Sequence, residues 1–357
     1  MVPGSRISVL LIIIFILSLG LIITLTPRTE AIYKTNSYLY PNIIQVLDNV
    51  STIDITNNSK KLSFKKNNDE VWEIINDGNF PAQMNLVNDL LLGVAYLKII
   101  EQKTADPNLY SLLHVDDIKA ENPDTIAVTL KDPANKYLVN LLVGKREQQA
   151  IIGSPAKTEQ LYVRKAGDRQ SWLVEGTIPI SLEFKDWVNQ PLLPINANDI
   201  RKIAISNNYS KTPMVIFKEN ADGNFYIKDN NRKQSITTIQ ADNNLVHMLS
   251  HLEYHNATLY NNVAHNWRPN LKIDIDIVNN FKLHIELAKI KQRICARVFT
   301  ISSVDAQGSD GDPSNKLNKV NEISKMWVFQ VSDDIYNLVN KSQLELINAL
   351  NGVEQVS

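Results

Sequence analysis

The segment TIDITNNS, residues 52–59, decides how the rest of the chain is interpreted, because KIAISNNY, residues 202–209, repeats its pattern. In both segments isoleucines alternate with other residues, and this period of two is typical of a half-buried strand. A pair of asparagines follows in each, and asparagine tolerates the positive φ of a tight turn. The sequence therefore predicts the same strand and turn twice.

Further blocks repeat in the same order after each of these two segments. They are LSFKKNNDEVWEII (62–75) with VIFKENADGNFYI (215–227), NLVNDLL (85–91) with NLVHMLS (244–250), TIAVTLKD (125–132) with LKIDIDIVNN (271–280), KYLVNLLVG (136–144) with FKLHIELAK (281–289), and QSWLVEGTIPI (170–180) with KMWVFQVSDDI (325–335). This alignment pairs Trp72 with Phe225. It also pairs Trp172 with Trp327.

We expect an internal duplication, with α/β repeats at residues 48–196 and 197–350. Each repeat is predicted to be a mostly antiparallel or mixed sheet covered by one or two helices, so the fold class is α+β. The second repeat carries a polar insertion at residues 304–325. Its Gly, Ser, Asp and Asn content buries little apolar area and predicts a flexible loop.

A covering helix is predicted after Pro81, where apolar residues recur at a spacing of three to four. The apolar positions are Leu86, Val87, Leu90, Leu91, Val94 and Leu97. This spacing places them on one face of a helix, which is suited to packing against a sheet.

The run Ile7–Leu25 contains no charged residue. As a helix it would rise roughly 28 Å at about 1.5 Å per residue, close to the ~30 Å hydrocarbon core of a bilayer. We therefore predict one transmembrane anchor at residues 1–26. The alternative is a cleaved signal peptide, whose apolar region is normally about 7 to 15 residues long and whose cleavage site needs small residues such as Thr29 and Ala31.

Residues 27–47 are interpreted as a connector between the anchor and the first repeat. Tyr33, Tyr38 and Tyr40 lie in this stretch. Tyrosine suits the polar edge of a bilayer, because one end of its ring is apolar and the other is hydrated. Packing of these tyrosines on the first repeat is the open alternative.

Composition limits the possible partners and compartments. Lys and Arg total 37 and Asp and Glu total 38, which gives a formal net charge of -1. This balance gives no excess of positive charge that would indicate nucleic-acid binding. The single cysteine, Cys295, lies in the apolar stretch RICARVF and is interpreted as a small buried hydrophobe.

Several short motifs of the chain resemble the bacterial domain-of-unknown-function family 4340. They are the W-x-I strand at Trp72, Pro81-Ala82 before the NLVNDLL helix, Tyr110-Ser111-Leu112, Leu142-Val143-Gly144-Lys145 and Tyr162-Val163-Arg164. The chain departs from the pattern at Ser111, where the family usually has glycine, and at Ala288-Lys289, which align with Gly144-Lys145.

The resemblance implies an envelope protein held at the bacterial inner membrane by a single span, with its repeats in the periplasm. In some genomes such proteins are encoded beside ABC-type transport components similar to gliding-motility auxiliaries. The resemblance implies no catalytic residue.

The strongest candidate metal ligands are His247, His251 and His255, in HMLSHLEYH, because a spacing of four places imidazoles along one side of a helix. The apolar face of this segment points elsewhere; it consists of Leu245, Val246, Leu249 and Leu252. In the first repeat Asn88 and Leu92 align with the first two histidines. HLEYH also lacks the H-E-x-x-H order of a metalloprotease. We therefore predict no metal site and no cofactor.

Other motifs lack the residues that their chemistry needs. Gly144-Lys145 is followed by Arg146 where a phosphate-binding loop has Ser or Thr. Residues 153–155, GSP, lack the second glycine of a nucleophile elbow, and residues 310–312, DGD, lack the spaced acids of a calcium loop. The lysines around the strand KLSF are interpreted as protecting a sheet edge; they are Lys60, Lys61, Lys65 and Lys66.

Two functional classes remain from the sequence. The first is a non-catalytic, membrane-anchored protein that serves as an auxiliary or scaffold component of an ABC-type transport or envelope assembly. The second is a periplasmic ligand-binding module or hydrolase with its site between the two repeats, since ligand sites often lie at domain interfaces. The side chains at the interface between the repeats discriminate between these classes.

Overall fold

The computed structural model describes residues 37–118, 124–150, 157–193, 195–208, 213–218, 225–228, 239–240, 243–278, 281–301 and 323–339. None of the helices in these ranges is long and apolar enough to cross a membrane. The run Ile7–Leu25 lies outside them.

The first sheet has nine strands. These are β1 (Thr52–Thr56), β2 (Lys61–Lys66), β3 (Trp72–Ile74), β4 (Phe80–Pro81), β5 (Lys98–Gln102), β6 (Ile126–Lys131), β7 (Tyr137–Ala150), β8 (Lys157–Lys165) and β9 (Ser171–Glu175).

The second sheet also has nine strands. These are β10 (Ile200–Asn207), β11 (Met214–Lys218), β12 (Phe225–Lys228), β13 (Ile239–Gln240), β14 (Tyr254–Leu259), β15 (Leu271–Ile277), β16 (Lys282–Ile290), β17 (Arg293–Ile301) and β18 (Trp327–Val331).

Short helices connect the strands. The α-helices with defined ends are α1 (Met84–Ala95), α2 (Tyr110–Leu113), α3 (Asn243–Ser250) and α4 (Tyr260–Val263). Residues 323–326 and 334–339 are also helical. The 3-10 turns are Ile43–Asn49, Ile75–Asp77, Pro107–Leu109, Phe184–Trp187, Ala197–Asp199 and Ala264–Asn266.

The two sheets have the same strand order. The first runs β4-β3-β2-β1-β6-β7-β8-β9-β5, and the second runs β13-β12-β11-β10-β15-β16-β17-β18-β14. The strand pairs of the described residues, for example β1 with β6 and β10 with β15, are antiparallel. The predicted α+β class is confirmed at this level: two mostly antiparallel sheets with a few helices.

One face of each sheet forms the core, because apolar and polar residues alternate along the strands. Ile53 and Ile55 of β1 have no exposed surface, whereas Asp54 between them points to the opposite face. Helix α1 covers the core face of the first sheet with the side chains Val87, Leu90, Leu91 and Val94. Full burial of each such side chain contributes about 1.5–3 kcal/mol.

Strand register shows which residues of the two sheets are equivalent. Trp72 lies opposite Lys66, and Phe225 lies opposite Lys218, as the sequence alignment predicts. In each case the lysine ammonium lies over the ring, at 5.5 Å and 4.6 Å from its centroid. These contacts are the same cation–π arrangement in both sheets.

The predicted equivalence of Trp172 and Trp327 is wrong by two residues. When the strand pairs are followed across each sheet, Val163 of β8 corresponds to Ala296 of β17. Val163 pairs with Trp172 and Ala296 pairs with Phe329, so Trp172 corresponds to Phe329. The sequence alignment matched one tryptophan to the other, and this shifted it by two residues from the structural register. Residues two apart share a face of a strand, so the error kept the correct face.

A short strap covers the outer edge of β5. Leu39 donates its backbone N–H to Leu97 O at 2.8 Å, and Ile99 donates to Ser37 O at 2.9 Å. Leu39 and Ile43 are buried in the core. Residues 37–47, the described part of the predicted connector, therefore pack against the first sheet.

The tyrosines of the connector have different environments. The Tyr40 hydroxyl donates to Asn140 O at 3.4 Å, and burial raises the pKa of this phenol well above its usual range. Tyr40 thus packs on the first sheet. The Tyr38 ring is 38% exposed, and Tyr33 lies outside the described residues.

A matching strap covers the edge of β14 in the second sheet. Leu192 donates its N–H to Leu252 O at 2.7 Å. The Gln190 amide accepts from Tyr254 N at 3.2 Å and donates to Tyr254 O at 2.7 Å. Residues 190–192 therefore occupy the place that residues 37–39 occupy in the first sheet.

Candidate functional site

An aromatic cluster joins the two sheets. The Phe80 ring, from β4 of the first sheet, lies 5.9 Å from Tyr254, 4.9 Å from Trp327 and 6.1 Å from Phe329 of the second sheet, measured between ring centroids. The interplanar angles of 65°, 78° and 85° are close to edge-to-face geometry. Such pairs contribute about 0.5–1.5 kcal/mol each beyond the burial of their area.

Two further groups of the first sheet close this junction. The Phe184 ring lies 5.4 Å from Phe80 and 6.0 Å from Tyr254. Gly78 approaches the Trp327 ring with a left-handed φ of 105°, a conformation that side chains rarely adopt. Burial raises the pKa of the Tyr254 phenol well above its usual range. Aromatic side chains thus occupy the junction where the alternative function placed a ligand.

The three candidate histidines do not share a helix. Helix α3 ends at Ser250, so His255 lies on strand β14 instead. His247 and His251 stack, with ring centroids 4.2 Å apart, and His251 Nδ1 lies 3.1 Å from His247 O. The predicted row of three imidazoles on one helix is therefore wrong. Across the described ranges, no group of three or more His, Cys, Asp or Glu is placed to hold a metal ion.

A shallow cleft of about 290 Å³ lies beside these histidines. Two carboxylates that line it already have protein partners. Glu253 lies 3.7 Å from Lys185, and Asp334 accepts from the Ser332 hydroxyl at 2.8 Å. Ser250 Oγ lies 3.0 Å from His251 Nδ1, but the Ser250 hydroxyl is buried and donates to His247 O at 2.9 Å, so this pair belongs to the end of helix α3.

The motif residues Tyr110, Gly144 and Arg164 form one structural unit. The Arg164 guanidinium lies 4.3 Å from the Tyr110 ring centroid and donates to Val115 O at 2.8 Å and to Asp117 Oδ1 at 2.7 Å. At Gly144 an added Cβ would lie 2.1 Å from Leu113 O. These residues hold helix α2 against the sheet, so their role is structural.

The second sheet contains an equivalent unit, in which the arginine makes fewer hydrogen bonds among the described residues. Tyr260, Ala288 and Arg297 occupy the equivalent positions, and the Arg297 guanidinium lies 3.7 Å from the Tyr260 ring centroid. Arg297 Nε is buried without a hydrogen-bond partner among the described residues. Ala288 is fully buried, so this copy has room for the methyl group that Gly144 excludes.

The lysines around β2 do not protect a sheet edge. Strand β2 pairs with β1 on one side and with β3 on the other, so that prediction is wrong. Lys60 forms an ion pair with Glu183, and Lys66 lies 2.9 Å from Glu70. Lys60 and Lys66 thus bind carboxylates of the protein itself.

Asp54 is the centre of a polar network on the outer face of the first sheet. It accepts from Ser63 at 2.7 Å and from Lys131 at 3.0 Å, and it lies 3.1 Å from Lys61 Nζ. Burial raises the pKa of this carboxyl, but the hydrogen bonds from Ser63, Lys131 and Lys61 outweigh burial and hold the pKa below its usual range. The carboxylate is thus ionised and structural.

Cys295 lies on β17 and is partly buried. Burial raises the pKa of its thiol, which opposes formation of the reactive thiolate. Residues 153–155 and 310–312 lie outside the described residues.

A second cavity lies on the first sheet, at the outer end of strands β8 and β9. It has a volume of about 580 Å³, and Ile99, Gln170 and Trp172 line it together with the strap residues Ser37 and Tyr38. Sequence reasoning missed this site. The sequence feature that could have indicated it is the similarity between SYLYP, residues 37–41, and QPLLP, residues 190–194.

The comparisons with known proteins identify one family. The family described as Domain of unknown function (DUF4340) matches residues 72–265, a range that crosses the aromatic junction. No curated protein matches the chain, and no solved structure matches it.

Proposed function

Since the chain belongs to the DUF4340 domain-of-unknown-function family, we propose that it is a non-catalytic protein anchored in the bacterial inner membrane. In this proposal its two sheets lie in the periplasm. They serve as an auxiliary or scaffold component of an ABC-type transport or envelope assembly.

The packing of the junction is the observation that carries this proposal. Phe80 and Phe184 of the first sheet pack against Tyr254 of the second, and Trp327 and Phe329 complete the cluster. An apolar contact of this kind suits a molecule that presents fixed surfaces to a partner. It does not favour a ligand site between the sheets, because side chains occupy that position.

The tether is supported by the sequence and by the position of the strap. The apolar run ends at Leu25, and the strap begins at Ser37 on the edge of β5. A fully extended chain spans at most about 3.5 Å per residue, so the intervening residues 26–36 would keep the first sheet within roughly 40 Å of the bilayer. Such a tether raises the effective concentration of the sheets for a membrane partner.

We also propose that the two sheets arose by duplication. The identical strand orders support this, as does the repeated stacking of an arginine on a tyrosine, Arg164 on Tyr110 and Arg297 on Tyr260. The positions of the two straps favour repeats that begin at Ser37 and Gln190, a few residues before the predicted starts at residues 48 and 197.

The transport assignment rests on the family resemblance, and a pull-down tests it. The full-length chain with a C-terminal tag is extracted from native membranes in mild detergent. The matched control carries a cleavable signal peptide in place of residues 1–26, so its sheets are released from the membrane.

We expect ABC-type membrane components to copurify with the tethered chain and to fall at least tenfold with the released chain. Recovery of a soluble small molecule with both forms, without any transport component, would contradict the proposal and favour the ligand-binding alternative.

A further inference from the structure

Exposed apolar side chains are grouped where the strap of the first sheet meets the end of helix α1. Tyr38 of the strap is 38% exposed, and Leu92 and Tyr96 at the end of α1 are 44% and 48% exposed. The Tyr38 and Tyr96 rings are in edge-to-face contact, with their centroids 5.8 Å apart. We call these three residues the apolar patch.

The apolar patch continues onto the segment that follows β9. Leu92 and Tyr96 line a shallow cleft of about 380 Å³ together with Gly93, Thr177 and Pro179. Gly93 packs closely on this segment, because an added Cβ there would lie 2.5 Å from Thr177 O. The strap, the helix end and this segment therefore form one continuous surface.

The charges around the apolar patch are mixed. Lys98 of β5 is exposed and lies opposite Tyr38 in an antiparallel bridge, so the two side chains share a face. Glu175 lies opposite Lys98 on β9, and Asp89, three residues before Leu92, is exposed. The patch therefore has no excess of positive charge, and attraction to anionic lipid is not what would hold it at a membrane.

The position of the patch in the chain indicates what covers it. The predicted anchor ends at Leu25, and the strap begins at Ser37, directly before Tyr38. Residues 26–36 span at most roughly 40 Å even when fully extended, so the anchor would hold the patch close to the bilayer. Tyrosine suits the headgroup level of a bilayer, because its ring is apolar and its hydroxyl is hydrated.

We propose that the apolar patch rests on the lipid headgroup region of the bilayer that holds the anchor, with the Tyr38 and Tyr96 rings among the lipids. This inference rests on the membrane anchor of the proposed function and adds an orientation to it. The end of the first sheet that carries Lys98 faces the bilayer, and the opposite strand ends face away from it.

A second copy of this chain is a poorer occupant of the patch. Three side chains that are each less than half exposed present a few hundred Å² at most, whereas a standard protein interface buries about 800 Å² on each partner. A bilayer does not need such an area, because the anchor already supplies the attachment.

Quenching of a fluorophore by spin-labelled lipid tests the proposal. The full-length chain carries Cys295→Ser and Tyr96→Cys and is labelled with the fluorophore NBD at position 96. It is reconstituted in vesicles of phosphatidylethanolamine and phosphatidylglycerol that contain phosphatidylcholine with a nitroxide near the headgroup. The matched control carries the label at Tyr137→Cys, since Tyr137 is also an exposed tyrosine of the first sheet.

Strand register places Tyr137 at the far end of the sheet from the patch. Lys98 pairs with Glu175, Glu175 with Gln160, and Gln160 with Glu147. Glu147 and Tyr137 are ten residues apart on β7, which corresponds to roughly 30 Å at about 3.3 Å per residue. A bilayer that touches the label at position 96 therefore leaves the label at position 137 in water.

We expect the label at position 96 to be quenched at least fivefold more strongly than the label at position 137. Leu92→Glu in the Tyr96→Cys chain should lower this quenching at least threefold, because it places a carboxylate between the helix and the lipid. Asn85→Glu, two turns earlier on the exposed side of α1, is its control and should leave the quenching unchanged.

Two results would overturn the inference. One is equal quenching at positions 96 and 137. The other is a label at position 96 that is shielded from water but is not quenched by the lipid, which is the result expected if residues 27–36 or a second copy cover the patch.

Flotation of the same vesicles separates this inference from the proposed function. If the chain floats with the vesicles but position 96 is not quenched, the inference fails and the anchor stands. If position 96 is quenched but the pull-down recovers no ABC-type component, the inference stands and the transport assignment fails. A chain that does not float would contradict both the anchor and the inference.

Discussion

At the scale of single residues, the two sheets share positions but differ in how tightly those positions are packed. Gly144 lies against the backbone of Leu113 and His114, and Arg164 has hydrogen-bond partners on three of its nitrogens. At the counterparts, Ala288 already carries a methyl group, and Arg297 donates from Nη2 to Lys325 O at 3.4 Å while its Nε has no partner among the described residues. The matched positions therefore provide internal controls for stability measurements.

Gly144→Ala should destabilise the protein by about 3 kcal/mol, because the new methyl group would meet backbone atoms that have little freedom to move. The free energy of unfolding, measured by urea denaturation of the full-length chain in detergent, checks this. Ala288→Gly is the control, with an expected loss of about 0.5–1 kcal/mol. A tolerated alanine at 144 would show that helix α2 is not held as described.

Arg164→Lys should cost about 2–4 kcal/mol, since lysine cannot replace the planar guanidinium that binds Val115 and Asp117 and stacks on Tyr110. Arg297→Lys should cost only about 1 kcal/mol, because the loss of stacking on Tyr260 is partly offset by removal of a buried Nε–H that has no partner among the described residues. Thermal unfolding of both variants measures the difference. Equal losses at the two sites would contradict the structural role assigned to Arg164.

Asp54 should make stability depend on pH. Its pKa is lowered in the folded state, so its contribution is present above the unfolded value of about 3.9 and is lost as pH falls through the folded value. Asp54→Asn should lose about 1–3 kcal/mol at pH 7, and the difference from the parent should shrink as the pH falls below about 4.

Urea denaturation across this pH range measures the effect. Asp48→Asn, at an exposed position, is the control and should change stability by less than about 0.5 kcal/mol. A constant difference between Asp54→Asn and the parent at every pH would contradict the network.

At the scale of elements, β4 and the 3-10 turn Phe184–Trp187 couple the two sheets. Phe80 contributes the central ring of the junction, and Trp187 packs at 4.9 Å from Phe64 within the first core. A two-residue edge strand thus connects two nine-stranded sheets. Aromatic packing around Phe80 and the ion pair between Lys185 and Glu253 both contribute to this coupling.

Phe80→Ala should destabilise the chain by about 3–5 kcal/mol, through lost burial and the cavity left behind. It should also split urea unfolding, followed by circular dichroism, into two transitions. Phe217→Ala, a partly buried phenylalanine of β11 outside the junction, should leave one transition. A single transition in both variants would mean that the sheets are coupled elsewhere.

The sequence predicted the elements better than it predicted their contacts. Alternating isoleucines at residues 52–59 and 202–209 identified the central strands, because a period of two reports directly on burial. The register of β18 was misplaced because two aromatics two positions apart, Trp327 and Phe329, fit the pattern equally well. His255 was assigned to a helix because its spacing of four continued a true helical pattern beyond Ser250.

The candidate site was not predictable from local patterns. The junction joins residues that are far apart in the chain, such as Phe80 and Trp327, and nothing near either residue signals the other. The motifs at Gly144 and Arg164 were visible, but only the contacts with Leu113 and Val115 showed that they are structural.

At the scale of the whole molecule, the described residues form two related sheets that pack against each other through Phe80. In our proposal the anchor at residues 1–26 holds both sheets near the membrane, and the protein acts by binding a membrane partner.

The most direct test is the amount of ABC-type membrane components recovered with the full-length tagged chain relative to the chain that carries a cleavable signal peptide in place of residues 1–26, at equal expression. We predict that the released chain recovers less than a tenth of the components that the tethered chain recovers. Equal recovery by the two forms would contradict the claim that this protein works as a membrane-held component of a transport assembly.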